Sequence, residues 1–325
     1  MIATVNTTAN HSRGGVRRVR VNAEGAGQRI DNFLLRELKG LPRSRVYKLL
    51  RKGEVRVNGG RIGPTYKLRA ADEVRIPPVR LEAPNPSAPR VPAGLRERLL
   101  SGVLHEDERL LVLDKPPGIP VHGGSGQAWG LIEALRELRP ELPFLELAHR
   151  LDRDTSGCLV LAKKRSALRE VHEALREGRA EKKYLTLLKG RLPRGALPVE
   201  APLDKRERRG GERTVTVSAA GKAARTVFRT VRRLGFATLV EAEIATGRTH
   251  QIRVHAAHAG HPVLGDDRYG DRDANRDVRR LGLKRIFLHA HSLHLRLAEG
   301  RELLVDAPLS ADLRAVLDAA EKEGA

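Results

Sequence analysis

The segment of residues 148–157 gathers several side chains that could do chemistry. Its sequence, AHRLDRDTSG, places the carboxylates Asp152 and Asp154 among two arginines, a histidine and two hydroxyls. The apolar run 158–162 follows directly and is typical of a short buried strand. A polar turn attached to such a strand can hold reactive groups rigidly. The segment alone fits a charged surface turn with internal salt bridges equally well, so the rest of the chain must decide.

Three segments further along the chain are also rich in polar residues. In the first, Lys182-Lys183-Tyr184, an aromatic residue begins an apolar strand, where tyrosine is more often a packing residue than a catalyst. The other two are residues 246–255 and 262–270, which combine arginine with histidine, aspartate or tyrosine.

Neither these segments nor the glycine-rich residues 123–126 carry a known metal or cofactor motif. The histidines of 250–261 lie close together, but the chain has no H-E-x-x-H motif and only one cysteine. The glycines of 123–126 lack both the ending of a P-loop and the spacing of a dinucleotide site. Ser156 lies outside a Gly-x-Ser-x-Gly elbow, and Cys158 is expected to be an inert core thiol. The sequence therefore predicts neither metal nor cofactor.

The composition points to a polyanionic partner. The 325 residues carry a net charge of +21, with a pI near 10.9, so nucleic acid is the first candidate and an acidic membrane surface the second. Apolar residues make up 40% of the chain and aromatic residues 3%, so aliphatic side chains must fill the core. The chain shows no signal-peptide pattern and no apolar run of transmembrane length. With its single cysteine, this favours a cytoplasmic protein.

Apolar patterning divides the chain into four parts. Residues 1–19 are expected to form a flexible basic tail, and residues 20–80 a small α+β domain. A Pro-rich linker is predicted over 81–97, and residues 98–325 form a larger domain. In the larger domain, short strands outnumber helices and do not alternate with them regularly. This favours an α+β fold with a mixed, mainly antiparallel sheet.

The small domain is predicted to contain two helices and a hairpin. Apolar residues from Ile30 to Leu38 have helical spacing, and Gly40 ends that helix. Ser44 is expected to cap a second helix that ends at Gly53. The turn Asn58-Gly59 then predicts a hairpin.

This small domain is unusually basic. Residues 28–80 contain 14 Lys and Arg against 5 Asp and Glu, which favours contact with phosphates. The segments 29–34, 44–53 and 55–59 resemble the S4-type (alpha-L) RNA-binding domain. With few aromatic residues, such a domain is expected to hold a folded RNA backbone rather than to stack on bases. The predicted phosphate contacts lie on and beside the second helix: Arg43, Arg45, Lys48, Arg51 and Lys52.

Isomerisation of uridine is the prominent reaction on RNA that needs neither metal nor cosubstrate. The larger domain contains the motifs DKPPG at 114–118, HRLDRDTSG at 149–157, KY at 183–184 and GRTHQIRVH at 247–255. These four motifs resemble, in the same order, those of the RluA-type pseudouridine synthases. The resemblance extends over about residues 20–310 and is closest to members that modify large-subunit ribosomal RNA.

The resemblance implies roles for individual residues. Asp152 is the essential carboxylate, which either attacks C1′ of the uridine or removes its 2′ hydrogen, and Arg253 is its partner. Tyr184 stacks on the target base and is a candidate for removing the C5 proton. Arg150 fills the space that the flipped base leaves. The implied phosphate contacts in this domain are Lys115 and Arg248.

The expected protein is thus an RNA pseudouridine synthase that modifies several uridines of large-subunit (23S) ribosomal RNA. It is expected to be a monomer and to need no cofactor, small-molecule cosubstrate or membrane. The alternative is a non-catalytic RNA-binding factor in ribosome assembly.

Overall fold

The computed structural model describes residues 15–38, 41, 43–79, 91–123, 130–207 and 213–324. The chain divides between residues 90 and 91 into two compact units, which are described here one by one. Several predicted features lie outside the described residues: most of the basic tail, residues 81–90 of the predicted linker and the glycine-rich segment after Gly123.

The first unit packs two helices on a four-stranded antiparallel sheet of order β1-β4-β2-β3. The apolar faces of both helices, including Phe33, Leu34 and Val46, form its core. A short 3-10 turn covers Ala23–Gly25. The helices are α1 (Ile30–Glu37) and α2 (Arg43–Lys52), and the strands are β1 (Arg17–Arg20), β2 (Arg56–Val57), β3 (Gly60–Arg61) and β4 (Glu73–Ile76).

Two local predictions for this unit were wrong. Residues 17–19, assigned to the tail, belong to β1, because β4 pairs with them and supplies their backbone partners. This arginine-rich strand contributes only the partly buried Val19 to the core, so its sequence pattern was weak. α2 begins at Arg43, which places Ser44 inside the helix rather than at its N-cap. Its end is as predicted, because Gly53 follows with φ +69°.

The second unit is built on a ten-stranded sheet flanked by helices. A short 3-10 turn covers Ala298–Gly300. The helices are α3 (Ala93–Ser101), α4 (Leu131–Leu138), α5 (Arg165–Arg176), α6 (Gln251–His258), α7 (Arg272–Arg280) and α8 (Ala311–Gly324). The strands are β5 (Val103–Glu106), β6 (Leu110–Lys115), β7 (Glu146–Leu147), β8 (Ser156–Ala162), β9 (Ala180–Lys189), β10 (Ala196–Glu200), β11 (Leu203–Glu207), β12 (Arg213–Val217), β13 (Arg225–Leu234), β14 (Ala237–Ile244), β15 (Leu288–Arg296) and β16 (Glu302–Asp306).

The sheet confirms the predicted α+β, mainly antiparallel architecture. Its main order is β10-β13-β14-β9-β15-β8-β6-β5, with β16 added to β15 and β7 added to β8, while β11 and β12 pair separately. Only the β15–β8 pair is parallel among the described strands. Two boundaries differ from the prediction. Helix α3 starts at Ala93, inside the predicted linker. The apolar run 286–290 also predicts a strand from Ile286, whereas β15 starts at Leu288.

β8 lies deep in this sheet. All seven of its residues are buried, because successive side chains point into two different apolar clusters. Leu159 and Leu161 pack in one cluster, and Cys158 and Val160 pack in the other. Burial on both faces explains the continuous apolar run and makes β8 a rigid base for the polar turn that precedes it. Separately, no helix in the described ranges is long and apolar enough to cross a membrane.

Candidate active site

The turn before β8 sets the position of Asp152. The backbone N–H of Thr155 donates to the carbonyl of Asp152 at 3.2 Å and closes the turn. At Gly157 the backbone has φ +106°, and a Cβ there would lie 2.2 Å from the carbonyl oxygen of Ala290 on β15. Only glycine permits this approach, so the turn is held directly against the neighbouring strand.

Lys115 supports this turn and is not available to RNA. Its side chain is fully buried, and its ammonium group donates to the carbonyls of Pro116, Arg153 and Thr155, each at 2.9 Å. Burial lowers the pKa of Lys115 to about 7, although the charge of Asp154 acts in the opposite direction. The predicted phosphate contact is therefore wrong, because the amine is used to hold backbone carbonyls inside the protein.

Asp152 faces two basic side chains at the start of α6. Nη1 of Arg253 lies 3.3 Å from Oδ2 of Asp152, and Nε2 of His250 lies 3.8 Å from the same oxygen. The Asp152 side chain is 30% exposed, against 15% for each of the other two. The carboxylate is thus the most open of the three groups, and its charge-assisted contact with Arg253 orients it. The structure brings Arg253 to Asp152, as the resemblance implied, and adds His250.

Gln251 shapes the loop that leads into α6. Its Oε1 accepts hydrogen bonds from the Thr246 hydroxyl at 2.6 Å and from the Arg248 backbone N–H at 3.1 Å. Its Nε2 donates to two acceptors at the start of β13. His250, the N-cap residue of α6, has the left-handed backbone conformation, with φ +54° and ψ +22°. Such a conformation in a non-glycine residue needs support from its surroundings, which the amide network of Gln251 supplies.

Two residues without an assigned role in the sequence analysis complete the cluster. Buried Asp266 accepts two hydrogen bonds from Arg253, from Nε at 2.7 Å and from Nη2 at 2.8 Å. The Tyr269 hydroxyl lies 2.8 Å from Nδ1 of His250, and its ring centre lies 5.0 Å from Cζ of Arg253. The polar segment 262–270 was the available signal, but its sequence does not show which of its two aspartates is buried.

The charge of Asp266 is maintained despite its burial. Burial alone would raise the pKa of Asp266, but the hydrogen bonds and charge of Arg253 outweigh that effect and hold the pKa below its usual range. Arg253 is therefore paired with one fully buried carboxylate and, through its remaining nitrogen, with the partly open Asp152.

Tyr184 approaches the same region from β9. It pairs across the sheet with Ala290 of β15, which in turn pairs with Gly157 of β8. Tyr184 is 8% exposed. Burial raises the pKa of Tyr184 far above its ordinary value, and the negative charge of Asp152 adds to the rise. The phenol therefore keeps its proton at neutral pH.

Other polar residues of the motifs support the fold. Nε2 of His149 accepts the backbone N–H of Val160 at 3.1 Å, and burial lowers the pKa of His149 to about 4. The Ser156 hydroxyl lies 2.9 Å from Nδ1 of buried His289. Burial raises the pKa of Cys158 to about 12, which fits an inert thiol.

Two of the histidines that follow His250 also bond to groups of the fold. The ring nitrogens of buried His255 bond to the Thr226 hydroxyl and the Ala201 carbonyl, each at 2.9 Å, and His261 bonds to the Lys189 carbonyl. Within the described ranges, no group of three or more His, Cys, Asp or Glu residues is arranged to hold a metal ion.

The remaining predicted RNA contacts of this unit lie on its surface. Arg150 is exposed two residues before Asp152. Arg248 is also exposed, and its Nε donates to the carbonyl of Ala223 at 3.3 Å. Both guanidinium groups are accessible to a polyanion, in contrast to Lys115.

In the first unit, α2 separates apolar from basic side chains. Val46, Leu49 and Leu50 are buried in the core. The predicted phosphate-binding residues lie on the exposed part of the same helix: Arg45, Lys48, Arg51 and Lys52. The Arg43 side chain is outside the described part of the structure, so its predicted contact stays a prediction.

Two family models match the chain. The model described as RNA pseudouridylate synthase matches residues 109–258, and the S4 domain model matches residues 28–74. The first range contains Asp152, Tyr184 and Arg253, and the second contains α1 and α2.

Curated relatives are similar over nearly the whole chain. Ribosomal large subunit pseudouridine synthase C of Pasteurella multocida (strain Pm70) is 51% identical over 309 residues, which cover 95% of each chain. The protein of the same name from Escherichia coli (strain K12) is 52% identical, over 93% of this chain and 96% of the relative.

Solved structures share the fold over about two thirds of the chain. Human RNA Pseudouridylate Synthase Domain Containing 4 matches with a TM-score of 0.58 and 28% identity, over 70% of this chain and 95% of that one. Human RNA Pseudouridylate Synthase Domain Containing 1 matches with a TM-score of 0.55 and 25% identity, over 67% and 86% of the two chains.

Proposed function

This chain belongs to the RluA-type family of RNA pseudouridine synthases, and we propose that it converts several specific uridines of large-subunit ribosomal RNA to pseudouridine. Its relatives are named for the large ribosomal subunit, and its S4 domain suits a large folded RNA. One observation carries the proposal: the partly open carboxylate of Asp152 faces Arg253 and His250 on a turn fixed to a buried strand.

The reaction rearranges the target nucleoside without adding atoms. The bond from C1′ to N1 breaks, the uracil turns, and a bond from C1′ to C5 forms, while C5 loses a proton and N1 gains one. We assign the step on the ribose to Asp152, by attack on C1′ or by removal of the 2′ hydrogen. Both routes need an ionised carboxylate in a fixed position, and the contact with Arg253 supports that geometry.

Tyr184 is proposed to contact the detached uracil with its ring. Its place on β9 supports this role, because Tyr184 pairs with Ala290 of β15, which pairs with Gly157 at the end of the Asp152 turn. The raised pKa of Tyr184 weighs against the alternative role of removing the C5 proton, because a base would have to be the phenolate.

The target uridine must leave its stack to reach Asp152, which costs a few kcal/mol. Arg150 is proposed to fill the vacated space, since its exposed planar guanidinium suits stacking between bases. Arg248 and the basic part of α2 would offset the cost through phosphate contacts. In α2 these contacts are assigned to Arg43, Arg45, Lys48, Arg51 and Lys52.

The chain is further proposed to act as a monomer in the cytoplasm, without cofactor or small-molecule cosubstrate. Asp152, Arg253, His250 and Tyr184 come from one unit of one chain, which supports activity without a second copy.

The test is release of tritium from RNA that carries 5-tritiated uridine. We expect the purified chain to release tritium from large-subunit ribosomal RNA fragments in the presence of a metal chelator and without added cosubstrate. Asp152→Asn is expected to reduce release to background while RNA affinity stays unchanged. Asp154→Asn, two residues away in the same turn, is the matched control and should keep most of the activity.

The alternative, a non-catalytic assembly factor, predicts a different outcome. Such a protein would bind the same RNA, release no tritium above background and respond to neither substitution. Absence of release from both naked and partly assembled RNA would therefore refute the synthase proposal.

A further inference from the structure

One loop holds both of the basic groups that face Asp152. This support loop, residues 266–269, lies between the glycines Gly265 and Gly270. Its first residue, Asp266, binds Arg253, and its last residue, Tyr269, binds His250. Neither of the two has a direct hydrogen bond or ion pair to Asp152 within the described part of the chain, so their influence on it must pass through Arg253 and His250.

Asp266 determines which nitrogen of Arg253 reaches Asp152. Its two oxygens take Nε and Nη2, which leaves Nη1 for Oδ2 of Asp152 at 3.3 Å. Without this pairing, the guanidinium could turn and bind both oxygens of Asp152. In the observed geometry, the hydrogen bond from Arg253 ends on Oδ2 of Asp152, and the printed approach of His250 is to the same oxygen. The proposal assigns the other oxygen, Oδ1, to the ribose.

Asp266 is itself rigidly held. Its Oδ1 accepts the backbone N–H groups of Arg268 and Tyr269, at 2.9 and 3.1 Å. Its backbone carbonyl accepts a hydrogen bond from the Asn275 side chain at 3.0 Å. Because Asp266 is held in place, its two hydrogen bonds also fix the position of the Arg253 guanidinium.

The hydroxyl of Tyr269 lies where it can donate its hydrogen to one ring nitrogen of His250. The backbone N–H of Val215 donates to the phenol oxygen at 3.1 Å, so the phenol hydrogen is free to bond Nδ1 of His250 at 2.8 Å. An Nδ1 that accepts leaves the ring hydrogen on Nε2, the nitrogen 3.8 Å from Oδ2 of Asp152.

We propose that Asp266 and Tyr269 are positioning residues of the synthase reaction: Asp266 aims Arg253, and Tyr269 aims His250, at one oxygen of Asp152. The inference rests on the proposed function, since it concerns the same carboxylate. It predicts that the two residues affect the chemical step and not RNA binding.

The experiment compares Asp266→Asn with Asp267→Asn in steady-state tritium release. Asp267 is the matched control, because it is the neighbouring aspartate and its exposed side chain pairs with Arg279 of α7. For folded Asp266→Asn we expect kcat to fall about 10²-fold, with KM and RNA affinity unchanged. Equal kcat values for the two variants would overturn the proposal, whereas an inactive parent protein would instead refute the proposed function.

A double-mutant cycle separates positioning from a general structural effect. In an Arg253→Lys background, Asp266→Asn should cause no further loss, because the side chain through which it acts has already changed. An equal loss in both backgrounds would overturn the proposal.

If circular dichroism shows that Asp266→Asn does not fold, Tyr269→Phe decides in its place. This change removes one hydroxyl and keeps the ring beside Arg253. We expect a fall in kcat of about tenfold that disappears in a His250→Ala background. An unchanged kcat would overturn the proposal.

Discussion

Replacing Lys115 by methionine would distinguish a structural lysine from a phosphate contact. Methionine keeps the length of the side chain but cannot donate hydrogen bonds, so the carbonyls of Pro116, Arg153 and Thr155 lose their donor. Each unsatisfied buried carbonyl costs about 1–3 kcal/mol, and relief of the buried charge offsets part of that sum. We expect the free energy of unfolding to fall by about 3 kcal/mol.

The assay is urea unfolding followed by circular dichroism, combined with RNA binding over a range of salt concentrations. Lys164→Met is the matched control, because Lys164 is half exposed and its surface pair with Glu108 contributes less than about 1 kcal/mol. The folded Lys115→Met protein should bind RNA with an unchanged salt dependence. A stability equal to that of the control, or a salt slope reduced by about one unit, would refute the structural role.

Two further predictions concern the same turn. Gly157→Ala should lower the free energy of unfolding by about 3–5 kcal/mol. The new Cβ would lie 2.2 Å from the Ala290 carbonyl oxygen, and alanine would also have to adopt a positive φ. Gly118→Ala, also at positive φ but with open space around the Cβ, should lose only about 1–2 kcal/mol, and equal losses would contradict the argument. Burial lowers the pKa of His149 from 6.5 to about 4, so the folded protein holds the neutral imidazole. The free energy of unfolding should therefore be highest above pH 6.5 and should fall by up to about 3 kcal/mol as the pH drops towards 4. His149→Gln should flatten that part of the pH profile in urea unfolding, and an unchanged profile would show that another group titrates.

Elements with strong local signals were predictable from the sequence. The apolar spacing of Ile30 to Leu38 predicted α1, and Gly53 ended α2 as expected. These signals lie within one or two helical turns, so no distant partner is needed to interpret them. β1 was missed for the opposite reason, since an arginine-rich segment becomes a strand only because β4 pairs with it.

In the site, too, some residues were predictable from local motifs, whereas others depended on contacts with distant parts of the chain. Resemblance to the synthase motifs indicated Asp152 and Arg253, and the structure places them 3.3 Å apart. The same motifs suggested that Lys115 contacts RNA, and the structure buries it. Asp266 belonged to a segment that was noted as polar, but nothing in its local pattern separated it from exposed Asp267.

From the sequence came the charge pattern of the basic unit and, through the resemblance of its motifs to the synthase family, the class of protein and the carboxylate on the turn before β8. Those features depend on residue identity and on spacing along the chain. Only the tertiary structure decided which charges face solvent and which face each other: Lys115 turns inward to three carbonyls, while Asp266 and Tyr269 hold Arg253 and His250 towards Asp152. The physical reason is that burial and pairing are set by residues that lie far apart in the chain and meet only when the sheet and α6 have assembled.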